Sequence, residues 1–382
     1  YPIHFFKPGG LMIQYRKNRS HISIIIFLCL SLCVTVFLTK AAEPEDVEIS
    51  RYEQAADRLT GSPQAAAAVE LTRQMMMDLG LTNIHLEPTR VGRWVRGEEE
   101  TALIISSRWG TRPLKVASIG GSDSTPETGI EGRVIEVKNF EELKALGASA
   151  KGTIIFFNRP MDPALPDTFS AYGGAADQRV QGAVEGARAG AVAVLVRSLT
   201  TRRDDFPHTG LMQYKEGIPR IPAACVSTIG ADDLSRLLLS DPDLRVHIKL
   251  DCRHLSPVIS HNVIGEIEGS ENPEEIVLVG GHLDSWDLGT GAHDDGAGCV
   301  HALEALRLIK ETGLRPGGGG VDIGPLGQSG TLLIGLIPDS QRYFDVHHSA
   351  LDTIETVNSR ELEMGAIAIA LLAYILAQEG IN

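Results

Sequence analysis

Residues Gly280 to Val300 read G-G-H-L-D-S-W-D-L-G-T-G-A-H-D-D-G-A-G-C-V. Just before them, Glu275 to Val279 is a short apolar run that predicts a buried strand, and Gly280-Gly281 lets the backbone turn at its end. His282 then stands at a strand terminus. In extended chain, residues two apart share a face, so Asp284 sits beside His282 and can hold one ring nitrogen while the other faces a metal. Asp294-Asp295 follows in a loop bordered by glycines. The spacing of Cys299, Leu303 and Leu306 predicts a helix over Cys299–Thr312, stopped by Gly313. A lone histidine is most often a satisfied core or surface residue. Here a strand end, an H-x-D pair, a second acidic pair and a glycine-rich helix entrance coincide, which is the layout a hydrolytic metal site needs.

G-G-H-L-D-S-W-D followed by G-A-H-D-D-G-A-G resembles the co-catalytic two-zinc aminopeptidases and glutamate carboxypeptidases, and within them the carboxypeptidase Q branch. Gly92–Glu99, Arg179–Val196 and Tyr343–Thr353 are similar to that branch as well. Metallopeptidases with H-x-D-x-V-P fit less well, because Ser285-Trp286-Asp287 stands where their apolar residue and proline would be. The resemblance implies an α/β fold of the zinc exopeptidase type, a mixed sheet flanked by helices, with an inserted β-rich protease-associated domain. It implies that His282 binds one zinc, that Asp294 bridges two, and that His348 binds the second. Asp284, Asp295 and Asp352 would support these ligands, Asp295 following Asp294 across a cis peptide bond. The implied reaction is hydrolysis of small peptides or dipeptides, with two metals activating water and stabilising the oxyanion. A homodimer is an assembly the resemblance allows.

Composition bounds the partners. The 382 residues, 43% of them hydrophobic, suffice for two domains and a sizeable core. A net charge of −14 argues against nucleic acid and against an anionic membrane surface. Arg16, Lys17 and Arg19 precede an apolar run from Ile22 to Thr39, and Thr39-Lys40-Ala41 offers small residues at the two positions a signal peptidase reads. Residues 12–41 are therefore expected to be an export signal, sending the protein to a secreted, periplasmic or lumenal location with no membrane contact after cleavage. An uncleaved anchor is the competing reading, since the run is near the minimum spanning length. Cys29 and Cys33 lie in that segment, leaving Cys225, Cys252 and Cys299 for at most one internal disulfide.

Residues 42–115 read as the first part of the peptidase domain, with a helix over Ala65–Leu79 and a strand at Ala102–Ser106. Met75-Met76-Met77 reads as core filler, and Glu98-Glu99-Glu100 beside Trp94 as a solvated edge. Residues 116–255, which the resemblance equates with the protease-associated domain, carry short β-like runs at Arg133–Val137, Gly152–Asn158, Ala191–Arg197 and Val246–Leu250. Arg179–Ala189 between them is helical in character, and His208 with Asp204-Asp205 reads as a solvated polar loop. Residues 256–382 complete the peptidase domain: a strand at Asn262–Glu268, a turn through Gly269–Glu274 and a strand at Thr331–Ile337. Asn358 and Glu361 then cap a helix to about Gln378, whose apolar core Met364–Ala377 is too short to span a bilayer. His348 is followed by Ser349 as in the family pattern, whereas His347 reads as structural or substrate-facing.

The chain departs from the family after the Cys299–Thr312 helix. There the family has a buried strand ending in a Glu-Glu pair, the first glutamate acting as general base and the second binding zinc, and a later strand supplies an aspartate ligand. Arg315 to Val321 contains neither, and Gly317–Leu326 resembles a later part of the family. The gap near 316/317 corresponds to about three strand-and-helix units of ~30 residues each. Asp322 matches a family position near the substrate cleft and does not replace the missing ligand. Glu304 and Glu311 give no reason to act as the base. No catalytic residue is therefore assigned, and the zinc ligand set is one short on each side. Three readings follow: a peptidase acting on small peptides, a non-catalytic relative that retains peptides or a partner, or a sequence from which a segment is missing at Pro316-Gly317.

Overall fold

The computed structural model describes residues 57–269, 276–312, 336 and 340–379, with the side chains of all but 311–312 and 376–379. The export segment, Gly317–Leu326 with Asp322, and the turn and strand expected at Gly269–Glu274 and Thr331–Ile337, apart from Gly269 and Leu336, lie outside them. Ser62 caps the first described helix, α1 (Pro63–Asp78), by accepting from the Ala65 N–H, and Pro63 presets its first turn. The chain then enters β1 (Thr82–Ser106) and turns back through β2 (Gly110–Leu114) and β3 (Val116–Ser118). After β4 (Ile130–Val137) come α2 (Phe140–Leu146), β5 (Ile154–Phe157), α3 (Thr168–Val180), α4 (Gly182–Arg188) and β6 (Ala193–Arg197). β7 (Ala223–Val226), α5 (Thr228–Ser240) and β8 (Arg245–Glu266) close this part, and α6 (Ala297–Thr312), α7 (Ser340–Val346) and α8 (Ser359–Glu379) follow.

The described strands form one mixed sheet in the order β2-β1-β8-β4-β5-β6-β7-β3. β4, β5, β6 and β7 run parallel, while β8 against β4 and β3 against β7 are antiparallel. Alternation divides the core between the two faces. Ile154, Phe156, Leu195 and Val226 pack with Leu234 and Leu237 of α5 on one side, and Ile155, Phe157, Val194 and Cys225 pack with Ala183 and Ala187 of α4 on the other. The expected mixed sheet flanked by helices is thus the observed one. Cys225, Cys252 and Cys299 are all buried.

β1 and β8 run antiparallel along almost their whole lengths, from Thr82 opposite Glu266 to Ile105 opposite Arg245. Ala102–Ser106 is therefore only the last part of a much longer strand. The ribbon has a topological consequence: the chain on either side of residues 82–266 returns to one end of it. There α1 packs on α6, with Ala68 and Met75 against Ala297, Val300 and Leu303. Met75 and Met76 fill this core as expected, whereas Met77 is exposed.

One strand expectation fails. Ile276–Val279 has no strand conformation, and Ile276 is 87% exposed. A strand exists only where its backbone N–H and C=O groups find a neighbour, and no described strand pairs with this run. Burial of the β5 core predicts that Phe156→Ala loses about 3–5 kcal/mol of stability, whereas Ile276→Ser changes it by no more than about 0.5 kcal/mol. Urea unfolding of the two variants checks the difference, and equal midpoints would contradict the placement of the core.

Candidate metal centre

The returning ends of the ribbon set Asp57–Ser62 against Leu283–Gly291. Arg58, 1% exposed, staples the two: its Nε donates to the Leu283 carbonyl at 2.8 Å, and its Nη1 and Nη2 donate to the Thr290 and Gly291 carbonyls at 2.8 and 2.9 Å. The Ser285 N–H donates to the Arg58 carbonyl, and the Arg58 N–H to Ser285 Oγ. Thr60 Oγ1 donates to Asp284 Oδ2. The sequence reading missed Arg58, because a guanidinium acting on three backbone carbonyls far along the chain leaves no local pattern.

His282, Asp284, Asp294, Asp295, His348 and Asp352 come together. His282 Nε2 lies 3.2 Å from Asp294 Oδ1, and His348 Nε2 lies 3.0 Å from Asp294 Oδ2. Asp352 accepts the N–H groups of His293 and Asp294 at 2.7 and 3.2 Å, and its carbonyl accepts those of Thr290 and Gly291. The Asp294–Asp295 peptide is cis. Asp295 accepts from the Gly298 N–H on one oxygen and from the His282 N–H on the other. A Cβ added at Gly281 or Gly298 would lie 2.6 or 2.1 Å from an Asp295 oxygen. These two glycines therefore admit the Asp295 carboxylate between the His282 loop and the start of α6.

The sheet supplies the other supports, and two sequence expectations are corrected here. Glu100 does not lie on a solvated edge: it pairs with Arg96, whose Nε and Nη2 grip both oxygens of Asp287 at 2.9 and 3.1 Å. Arg96 Nη1 also donates to the Ser118 carbonyl, so the ion pairs sit where backbone carbonyls complete the guanidinium's hydrogen bonds. Nor are His208 and Asp204 solvated, since both are buried, while Asp205 is exposed. The His208 Nδ1–H donates to the His347 carbonyl at 2.7 Å, and the Thr209 N–H to that of His348 at 3.0 Å. His208 and Thr209 are buried because the His347–His348 turn provides partners that water would otherwise supply, whereas Asp204 accepts from the Phe206 N–H and pairs with Arg202.

Hydrogen-bond partners assign the tautomers. His282 Nδ1 faces the Asp284 carbonyl at 2.9 Å and His348 Nδ1 faces the Thr209 carbonyl at 3.3 Å, so each carries its hydrogen there. Each Nε2 then faces an Asp294 oxygen, so a proton or a metal ion has to lie between nitrogen and carboxylate. Burial disfavours the charged form of His282, but hydrogen bonds to Asp284 and Asp294 and the charges of Asp295 and Asp294 outweigh it and push its pKa up to about 12. Burial likewise acts to raise Asp294, and the His282 and His348 hydrogen bonds offset it, holding the carboxyl well below its usual range. The same potential attracts a metal ion. Ligand edges in a tetrahedral zinc site are about 3.3 Å for Zn–N and Zn–O bonds of roughly 2.0–2.2 Å, and the 3.2 and 3.0 Å separations fit them.

The buried Arg96–Asp287 pair generates a prediction. Arg96→Met leaves Asp287 and Glu100 without their cation and should cost about 3–5 kcal/mol, read as a loss of urea stability. Removing the acid as well, in Arg96→Met/Asp287→Leu, should restore part of it, and strict additivity of the two changes would contradict the coupling.

Residues 262–357 match the sequence profile of peptidase family M28. Carboxypeptidase Q of Bos taurus is 40% identical over 259 residues, covering 68% of this chain and 52% of that protein. Carboxypeptidase Q of Homo sapiens is 39% identical with the same coverage. The chain thus spans about half the length of these curated relatives. Among solved structures, a peptidase M28 precursor from Shewanella amazonensis superposes with a TM-score of 0.84 at 26% identity, over 93% of this chain and 98% of that one. A zinc aminopeptidase from Bacillus subtilis shares the fold, with a TM-score of 0.59 at 16% identity over 87% and 95% of the two chains. Asp294, set between two histidines, lies inside the segment that matches peptidase family M28, and the chain is similar to carboxypeptidase Q and to an M28 peptidase precursor in sequence and in fold.

Proposed function

We propose that this chain is an exported zinc peptidase of the carboxypeptidase Q type, acting on small peptides or dipeptides. The observation that carries the reading is Asp294, whose two oxygens each face an imidazole nitrogen at metal-ligand spacing. His282, Asp294 and His348 would hold the metal, and Asp284, Asp295 and Asp352 would orient them. A zinc ion bound there supplies a Lewis acid that polarises the scissile carbonyl and acidifies water. The named relatives and the zinc aminopeptidase fold support the assignment. Residues 116–255 are proposed as an inserted protease-associated domain, in keeping with the short strands between β3 and β8. Export rests on residues 12–41; among the described residues no helix is long and apolar enough to cross a membrane.

A second reading, a non-catalytic peptide-binding relative, is favoured by one observation. Each described carboxylate beside Asp294 is already engaged: Asp284 by Thr60 and His282, Asp295 by two N–H groups, and Asp352 by two more. Each is thereby committed to holding backbone or side-chain groups, and a missing general base typically costs about 10²–10⁴ in rate.

Hydrolysis of unblocked dipeptides by the full chain, with zinc and with a chelator, decides between them. The peptidase reading expects slow zinc-dependent turnover that Asp294→Asn abolishes. Calorimetric peptide binding with no turnover would establish the non-catalytic reading, and neither binding nor turnover would overturn both.

A further inference from the structure

A concavity lies apart from Asp294, between the start of α1 and the β1–β8 ribbon. Gly61 brings the two together: a Cβ there would lie 3.0 Å from Val258 Cγ2, and its φ of +76° suits glycine. The cavity beside this contact measures about 320 Å³, within the ~300–1,000 Å³ of small-molecule sites, and Ser62, Ala66, Val69, Arg93, Ser260 and His261 line much of it. His282, Asp294 and His348 do not line it. Arg93 enters at a register irregularity, since Val91 pairs with Val258 but Arg93 with Leu255, a one-residue slip of the kind that re-aims side chains. The Arg93 Nε is buried without a hydrogen-bond partner. Arg159, Arg179 and Arg197 leave Nε unpaired too, but Asp177, the Thr209 carbonyl and Asp232 hold their Nη atoms. At Arg93 the cavity stands in that place.

We propose that this cavity binds a small organic carboxylate, with the anionic end on Arg93 and an apolar arm against Ala66 and Val69. An enclosed N–H without a partner is costly, and a ligand oxygen removes the cost. The planar guanidinium offers two parallel N–H groups, which match the two oxygens of a carboxylate. Ser62 accepts from the Ala65 N–H, so its hydroxyl hydrogen stays available to a ligand, and Ser260 and His261 bring further polar groups to the same wall. A net charge of −14 disfavours a dianion such as phosphate, and the apolar part of the lining gives phosphate oxygens no partners. No described residue of the lining is acidic, so an ammonium group has nowhere to pair. The fitting ligand is therefore an acylated amino acid or the C-terminal carboxylate of a peptide, which share this chemistry.

The site goes beyond the zinc-peptidase reading and does not rest on it. Its test is calorimetric titration of the full chain with N-acetyl-leucine, once with zinc and once with a chelator. The expected result is one site per chain with the same affinity in both. N-acetyl-leucinamide, which lacks the charge, should bind at least about tenfold more weakly, and Arg93→Met should weaken the acid by at least about tenfold, as loss of a hydrogen bond to a charged group implies. Thermal melts establish that the variant folds, with Arg93→Gln deciding if the methionine variant does not. N-acetyl-Ala-Ala-Leu, titrated in chelator, separates the two sources: affinity equal to that of N-acetyl-leucine assigns the site to peptide C-termini, and a tenfold weaker one to free acids. No binding, binding only with zinc, equal binding of the amide, tighter binding of inorganic phosphate, or unchanged affinity in a folded Arg93 variant would each overturn the site while leaving the peptidase reading in place.

Discussion

A buried carboxylate facing two imidazole nitrogens is the constraint on which the centre depends. Asp294 cannot sit 3.2 and 3.0 Å from both nitrogens without a proton or a metal ion between them, so the supports around it fix the orientation of both rings. The Asp284 carbonyl orients one ring and the Thr209 carbonyl the other. Asp352 fixes the backbone of Asp294 itself through two N–H groups. Burial makes this arrangement selective as well as costly. It pushes Asp352 up to about 7, with the neighbouring Asp294 charge adding to the rise against the hydrogen bonds it accepts. It also disfavours the charged forms of His347 and His348, leaving both as neutral donors.

The second dependence is long-range. The His282 loop is irregular backbone with few hydrogen bonds of its own, and its shape comes from elsewhere: Arg58 ahead of α1, Arg96 on β1 and the Asp352 turn after α7. The β1–β8 ribbon brings the first of these to the loop, since it returns both ends of residues 82–266 to one place. Arg96 on β1 touches the His282 loop directly, and Thr209, in the connection between β6 and β7, touches His348.

The share legible in the sequence follows from the range of the forces involved. α1, β5, β6, α6 and α8 announce themselves through apolar periodicity and caps, such as the Asn358 side chain accepting the Glu361 N–H at 3.1 Å. These are local signals. His282, Asp294 and Asp295 were legible because glycine-bordered spacing and family resemblance both single them out, and His348 through the resemblance alone. Ile276–Val279 was misread because apolar residues favour a strand only where a neighbour exists to pair with it. His208 and Glu100 were misread for the converse reason: polar residues look solvated until the fold supplies their partners, a turn 139 residues away for His208 and, for Glu100, a neighbouring guanidinium drawn inward by Asp287.

The sequence by itself determined the residues of the centre, the alternation that splits the core between two faces of the sheet, and the absence of a Glu-Glu pair after α6. All three are written in local order and residue type. Only the tertiary structure decided that Arg58, Arg96, His208 and Thr209 serve the centre, that His347 stands beside His348 on the same oxygen of Asp294, and that Ile276–Val279 lies open. The reason is physical: hydrogen bonds and charge pairs between groups more than a hundred residues apart depend on where the chain returns, and short stretches of sequence do not encode the return.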